Sequence, residues 1–538
     1  MKLHHQMRQG VVRRVPSLHH EHETYKWWVL ANVMIGTFMA VLDATIVDVS
    51  MAKIMSSFGI TVDKAEWVIT AYMLVFAVML PTSGWIADHF GFKRTYFLAL
   101  SLFTVGSFLC GMAWNENALI TFRIIQASGA GLLMPTGMSI VTREFPPEQR
   151  GVALGFWSIA AAASVSLGPM IGGYLIDNIN WNAIFNVNVP VGIIGLTATY
   201  VIQREYKTER ARSFDVVGFI SMAVFLCSLL LALTDGNASW NTGGWSSPFI
   251  ISCFILSAFS FTLFLVTELT IEHPLVDLRL LKDFNFSIAN GILFIFGFGM
   301  FGSTFLLPLY LQTSLGYTAF QAGSLFLPVG LLQAFTAPIS GMLADKINPK
   351  VPAVIGITLL ASSLFINSSL SLYSEHHQIM LALYIRGFAM GLMFTPLSMA
   401  ALSNIPRHKV GQASGLFNVI RQLGGSFGIA FMSTMLLRRT IYHMSTYGQA
   451  TNPQSDAYHQ VAGHLTRFSM DAVGGNQAMA AMRANALIAA HISTQAFIRA
   501  VCDDFLIASV ITIAALAPIM FLRVKKKKKT SDHVVAMD

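Results

Sequence analysis

Long apolar runs separated by short polar breaks repeat along the chain from Trp27 to Leu522. Most hold eighteen or more residues with almost no charge, enough for a helix to cross a hydrocarbon layer of about 30 Å. Fourteen spans are predicted, near 27–49, 65–87, 95–114, 117–142, 151–176, 184–202, 216–233, 248–267, 286–309, 321–343, 351–372, 378–403, 411–437 and 499–522. The expected fold class is all-α polytopic membrane protein.

Composition strengthens that reading. Of 538 residues 54% are apolar and 12% charged, about half the charged share of a soluble domain. With a cytoplasmic N-terminus, inner segments carry 25 Lys/Arg and outer segments 7; the other three, Arg123, Arg386 and Arg421, lie inside spans. This bias follows the positive-inside rule and predicts two cytoplasmic termini. It also accounts for the net charge of +8 without nucleic acid. The Lys525–Lys529 run is expected against anionic headgroups. Residues 1–26 are polar and basic, and the first apolar run is too long for a cleavable signal. Four cysteines without paired spacing argue against a disulfide framework or a zinc site. The amino-terminal histidines (His4, His5, His19, His20, His22) read as a tail rather than a metal cluster. No Walker loop, dinucleotide fingerprint or nucleophile elbow occurs, so neither ATP-driven pumping nor hydrolysis is supported, and no cofactor is expected beyond a proton gradient as driving force.

The expected organisation is a cytoplasmic tail (1–26), a six-helix half (27–202), a linker with two extra spans (203–285), a second six-helix half (286–522) with an outer loop over 438–498, and a basic tail (523–538). Within the loop, Gln477–Thr494 is Ala-rich with helical spacing, so one or two helices are expected there. A short repeat marks the halves. Gly84-Trp-Ile-Ala-Asp88, followed by Gly91, Lys93 and Arg94, comes after the second span, and Gly341-Met-Leu-Ala-Asp345, ending at Lys350, comes after the tenth. Repeated six-helix halves are typical of one transporter architecture.

Several ordered motifs resemble one family. They are Leu42-Asp43-Ala-Thr45-Ile46-Val-Asp48-Val49, the Gly84–Arg94 turn, Arg123-Ile-Ile-Gln126-Ala-Ser-Gly129-Ala-Gly131, Gly168-Pro169-Met-Ile-Gly172-Gly173, Trp181–Gly192, and in the second half Gly411–Asn418 with Arg421-Gln422-Leu-Gly424-Gly425-Ser426. From about Val41 to Phe521 the chain is similar to the EmrB/QacA-type fourteen-span drug/proton antiporters of the major facilitator superfamily. The resemblance implies a major facilitator fold, two six-helix halves plus two extra transmembrane helices. It also implies proton-coupled export, with Gly168, Pro169, Gly172 and Gly173 as the antiporter motif. The chain departs from the family at Asp48 and Ala52, where Asn and Pro are usual, and at His89, Ala127 and Ser164.

Physical arguments give these residues roles of their own. A carboxylate inside the bilayer is costly, which marks Asp43 as functional, and proton carriage is the expected role. At 1.5 Å per residue Asp43 lies ~24 Å from the inner end of its span and Arg123 ~9 Å from the outer end of its own, so the two are expected at similar depth, where they can pair. A static pair that fixes helix packing is the alternative. Asp48, roughly 140° around the helix from Asp43, is expected near the outer interface, either solvated or sharing the proton role. Spans three to fourteen are read as holding no other deep Asp or Glu. The Asp88 turn with Lys93 and Arg94, and the Asp345 turn, are expected to act as conformational latches: a carboxylate at a helix C-terminus needs another helix's N-terminus or a nearby base. Gly168-Pro169 is expected to break span five and admit a close neighbour. Gln126, Arg386, Asn418 and Arg421 are candidate cavity residues. For Arg386 and Arg421, attraction of anionic amphiphiles stands beside hydrogen bonding to backbone carbonyls. Phe294, Phe296, Phe298, Met300 and Phe301 are candidates for an apolar cavity, most of them expected to face lipid.

The sequence thus reads as a proton-driven exporter of hydrophobic or amphiphilic small molecules in the inner membrane. The long outer loop, with the resemblance, suggests a periplasmic adaptor and an outer-membrane channel as partners. An importer or symporter on the same scaffold, or a non-transporting sensor, is the alternative.

Overall fold

The computed structural model describes residues 24–522 except 61, 147, 207–213, 239, 273, 407–408, 452–453 and 475. The histidine tail, most of the basic connector and the Lys525–Lys529 run lie outside the described residues. Eighteen helices and two single 3-10 turns follow, with no strand among the described residues: α1 (Tyr25–Phe58), α2 (Val62–Phe90), α3 (Phe92–Gly111), α4 (Glu116–Glu144), α5 (Arg150–Asn178), α6 (Ala183–Asn186), α7 (Asn188–Ile202), α8 (Val216–Asp235), α9 (Pro248–Thr270), α10 (Phe284–Thr313), α11 (Ala319–Ser324), α12 (Leu327–Lys346), α13 (Lys350–Asn367), α14 (His376–Leu402), α15 (Val410–Ala450), α16 (Asp456–Val473), α17 (Gln477–Ala514) and α18 (Leu516–Phe521).

Polar breaks start these helices through side-chain caps. Asn115 accepts from Ala118 N–H at 2.8 Å, Asp215 from Gly218 at 2.8 Å, and Asp283 from Phe286 at 2.9 Å. Ser247 caps α9 with Pro248 in its first turn. Twelve stretches among the described residues are long and apolar enough to cross a membrane. The remaining two expected spans are α5 and α15, which pack among them: α5 between α1 and α12, α15 against α10, α17 and α2. α15 is diluted by Asn418, Arg421, Gln422 and several glycines. α1–α7 form one half and α10–α18 the other, with the α8–α9 hairpin set beside α2 and α15.

The extra hairpin shows how packing works without water outside. On α9 the large apolar residues Phe254, Ile255, Phe259 and Val266 are exposed, whereas Cys253, Ser257, Ser260 and Thr267 are buried, giving a close-packing face of small side chains. The linker is tied to the second half by an ion pair, Lys409 Nζ to Asp277 Oδ2 at 2.7 Å.

Two expectations change. Residues 438–498 are not a loop between helices: α15 and α17 run straight through the expected span ends at 437 and 499, and α16 packs along α17. The Ala-rich stretch carries α17 on without a break, while Ser455 and Asn476 cap α16 and α17. Nor does Gly168-Pro169 break span five, since α5 is continuous from Arg150 to Asn178. Packing against α1 holds it, and Gly168 and Gly172 lie where a Cβ would meet Thr45 and Ile46.

Candidate functional site

Asp43, in the middle of α1, is fully enclosed, as is Arg123 on α4. The Arg123 Nη1 donates to Asp43 Oδ2 at 2.5 Å and to Gln126 Oε1 at 2.9 Å. Asp43 Oδ1 accepts from Gln126 Nε2 at 2.7 Å and from Asn188 Nδ2 at 3.3 Å. Ser107 Oγ completes the ring, accepting from Gln126 at 3.0 Å and Asn188 at 3.1 Å and donating to Phe185 O at 2.9 Å. Four helices thus converge on one carboxylate. A fifth, α2, supplies Tyr72, whose ring lies 3.9 Å from the guanidinium centre. Each donor here is bidentate or shared, so the network answers both carboxylate oxygens while keeping the charge away from water.

Between the halves lies a cavity of about 240 Å³, walled by α1, α2, α4 and α5 on one side and α10, α12, α14 and α15 on the other. Arg123 forms part of this wall, so one side chain touches both the buried carboxylate and the cavity. Arg386 and Arg421 line the opposite wall with Gln333 and Gln422; no Asp or Glu lines it among the described residues. Of the apolar candidates, Phe296, Met300 and Phe301 reach the cavity. Phe294 and Phe298 pack instead on Phe427 and Phe431, and Phe298 is buried between helices rather than facing lipid.

The other candidates fall as follows. Gln126 belongs to the Asp43 network and does not line the cavity. Asn418 is buried against Ser414 O and Met138 Sδ, also outside the lining. The side chains of Asp48 and Pro169 lie outside the described residues. Gly173 approaches Phe320 beside α11. Asp345 Oδ2 accepts from Gly151 N–H at 3.1 Å, in the first turn of α5. Glu205 caps the start of α3, accepting from the N–H groups of Lys93 and Arg94 at 3.1 Å each, while Lys93 Nζ donates to Tyr200 O at 2.8 Å. Asp88 is buried at the end of α2.

Sequence reasoning missed Ser107, Asn188 and Tyr72. Asn188 stood inside the Trp181–Gly192 segment as one of three asparagines, with Asn182 and Asn186, and nothing local singled it out; Ser107 carried no signal. It also missed two buried carboxylates. Asp504 on α17 is fully buried with neither oxygen hydrogen-bonded among the described residues, and Glu268 at the end of α9 is fully buried, accepting from Val276 N–H at 3.2 Å. Both sit near expected span ends, where depth is unreadable until helices are packed.

Two helical halves around a central cavity, with a buried ion pair in its wall, define a membrane transporter rather than an enzyme. The chain belongs to the Major Facilitator Superfamily, whose sequence model matches residues 33–429. It is 30% identical over 501 residues to the uncharacterized MFS-type transporter YhcA of Bacillus subtilis, covering 93% of each chain. It is 32% identical over 431 residues to the multidrug export protein EmrB of Escherichia coli, covering 78% of this chain and 82% of EmrB. The EmrB-type resemblance of the motifs therefore holds. A solved double-tryptophan variant of XylE superposes with a TM-score of 0.58 at 12% identity, over 93% of this chain and 99% of that one, and so shares the fold.

Proposed function

We propose that this transporter is a proton-driven exporter of hydrophobic or amphiphilic compounds. Arg123 is the observation that carries the reading, because its guanidinium holds Asp43 on one side and faces the cavity on the other. A ligand in the cavity and a proton on Asp43 therefore act on the same cation. Occupying one changes the affinity for the other, which is the reciprocity that coupling requires. Similarity to multidrug export proteins of the EmrB type supports the outward direction. In this reading the inner membrane houses the protein, both termini are cytoplasmic, and the α15–α17 projection lies outside. There it can meet a periplasmic adaptor leading to an outer-membrane channel. The Asp88 and Asp345 turns then close the cytoplasmic end. Asp48 is a second candidate for the proton, and in the motif Gly168, Pro169, Gly172 and Gly173 it is Gly168 and Gly172 that set the close fit of α5 on α1.

Everted membrane vesicles provide the test. An imposed inward-acid gradient should drive accumulation of a lipophilic fluorescent dye in wild-type vesicles, and Asp43→Asn should abolish it. Accumulation that ignores the gradient, or that follows a reversed gradient, would favour a facilitator or a symporter instead.

A further inference from the structure

Two carboxylates meet at the base of the α8–α9 hairpin. Asp215 caps the start of α8 and is 6% exposed; Glu268, in the last turn of α9, is fully buried. Each spends one oxygen on a backbone amide. Asp215 Oδ1 accepts from Gly218 N–H at 2.8 Å, and Glu268 Oε2 accepts from Val276 N–H at 3.2 Å. The other oxygens, Asp215 Oδ2 and Glu268 Oε1, are buried without a hydrogen-bond partner among the described residues. They border the same small space, because a Cβ on Gly218 would collide with Asp215 Oδ2 and come within 2.8 Å of Glu268 Oε1. A glycine keeps that space open.

Among the described residues no base answers the pair. Lys409, just before α15, is taken by Asp277 at 2.7 Å, and Arg279 Nη2 donates to Leu269 O and Ile271 O at 3.2 Å each. Glu272 is exposed. From α2 comes His89, stacked on Trp85, whose ring meets Phe214 at 4.7 Å; Asp88 in the same turn adds a carboxylate rather than a cation. Two ionised carboxylates in one buried space repel each other, and neither has the cation that would offset its desolvation. One proton resolves both difficulties. It removes a charge and supplies the donor that both free oxygens lack. No group of three Asp, Glu, His or Cys side chains suited to a metal ion occurs among the described residues, so a proton fits this space better than a metal.

The segment after α9 carries the state of the pair outward. Glu268 holds it at Val276, Gln412 Nε2 donates to Pro274 O at 3.4 Å, and Asp277 is tied to Lys409. Gln412 is also the residue whose backbone lies against Gly84 of the first half. We infer that Asp215 and Glu268 form a second proton-binding site, separate from Asp43, whose proton keeps the hairpin base and residues 274–277 seated on the start of α15. Losing that proton sets two like charges face to face. The seating is therefore present at lower pH and is lost as pH rises. Through Gln412 the loss reaches the contact between the halves at Gly84, which makes the hairpin a pH sensor for the end that the proposed orientation places in the cytoplasm. The site itself does not rest on the exporter reading; only this last link does.

Infrared difference spectroscopy reads the proton directly. Full-length Asp43→Asn protein in lipid nanodiscs, in which Asp43 contributes nothing, is titrated upward in pH. A carbonyl band of a protonated carboxylic acid should fade as pH rises, and adding Glu268→Gln should remove it. Adding Asp215→Asn instead should keep the band and lower its midpoint by about one pH unit or more, because the like charge is gone. Both replacements preserve side-chain shape, and Asn still caps α8. A nitroxide on a cysteine at Leu281, which is 37% exposed, is read in the same protein with its native cysteines replaced by alanine. It should gain mobility over the pH range in which the band fades, and Glu268→Gln should hold it immobile throughout. A spectrum unchanged by Glu268→Gln, or a midpoint raised by Asp215→Asn, would overturn the site. A midpoint that moves when sodium replaces potassium would overturn it too, in favour of a metal cation. Nitroxide mobility that ignores pH would overturn the hold on the segment. The vesicle assay is separate: its failure removes the exporter reading and leaves this site standing.

Discussion

Asp345, near the end of α12 in the second half, accepts a hydrogen bond from Gly151 N–H in the first turn of α5 in the first half. Both ends benefit: the carboxylate answers unpaired amides and the positive end of the α5 dipole. Glycines make the approach feasible, because a Cβ on Gly341 would meet the Gly151 backbone. The first-half repeat is docked in the same way. Gly84 faces the backbone of Gly411 and Gln412 at the start of α15, where a Cβ would come within 2.7 Å of Gln412.

Asp345→Asn keeps an acceptor but loses the charge, so the closed end should weaken by roughly 1 kcal/mol, within the range for helix-terminus charges. Gly341→Val should weaken it further, since overpacking costs about 1–3 kcal/mol. A single cysteine at Ser158, inside the cavity, should then react faster with a thiol reagent supplied from the Asp345 side. Unchanged reactivity in both variants would show that this contact does not gate the cavity.

Asp43→Asn preserves size and most of the hydrogen bonding, so folding should survive. Wild-type protein should release a proton when cargo binds, and the Asn variant none, as read with a pH dye in weakly buffered solution. Release that persists would move the carrier role elsewhere, with Asp48 the first candidate. Arg123→Ala should lower thermal stability more than Asp43→Asn does, because it deletes the bonds to Gln126 and Val68 O and the Tyr72 ring contact along with the charge, whereas Asn still accepts from Arg123.

Asn188 holds Oδ1 of the Asp43 carboxylate, and Ser107 in turn holds Asn188 and Gln126. Asn188→Leu removes two donated hydrogen bonds and leaves buried acceptors short, a loss of about 1–3 kcal/mol. The expected signature is a displaced pH profile of transport with the maximal rate retained. A pH profile identical to wild type would confine Asn188 to packing.

Asp504 invites the opposite outcome. Neither oxygen is hydrogen-bonded among the described residues, so replacement by a neutral group costs little. Asp504→Asn should leave the melting temperature equal or higher. The adjacent Asp503, which meets His443 at 2.8 Å and lies near Arg439 and Arg499, should be needed to join α15 to α17, and Asp503→Asn should lower it. A large loss of stability in Asp504→Asn would reveal a partner for that carboxylate.

The projection formed by α15, α16 and α17 is expected outside the cell membrane. Replacing residues 456–473 by a short flexible linker should leave vesicle transport largely intact while cells lose resistance to exported compounds. Equal losses in both assays would assign the projection to the transporter's own fold. Impermeant labelling of a cysteine at Ser455 from the inside would overturn the topology.

Apolar run length alone fixed the spans, because a helix must satisfy its own backbone in lipid and needs a set number of residues to cross it. The G-x-x-A-D turns at Gly84 and Gly341 likewise revealed two halves, and charge bias implied an orientation. Depth arithmetic brought Asp43 near Arg123. Only packing decided which groups share a charge. Asn188 meets Asp43 from 145 residues away, Ser107 ties Asn188 to Gln126 across 81 and 19 residues, and no local period in the chain records such meetings. Gln126 left the cavity for the carboxylate, while Arg386 and Arg421 entered the cavity without a counter-charge. The α15–α17 projection was legible only in part: the Ala-rich spacing of Gln477–Thr494 announced a helix, as α17 is, whereas α16 and the polar extension of α15 lack the apolar pattern that marks a span, so only their packing and continuity show them as helix rather than loop.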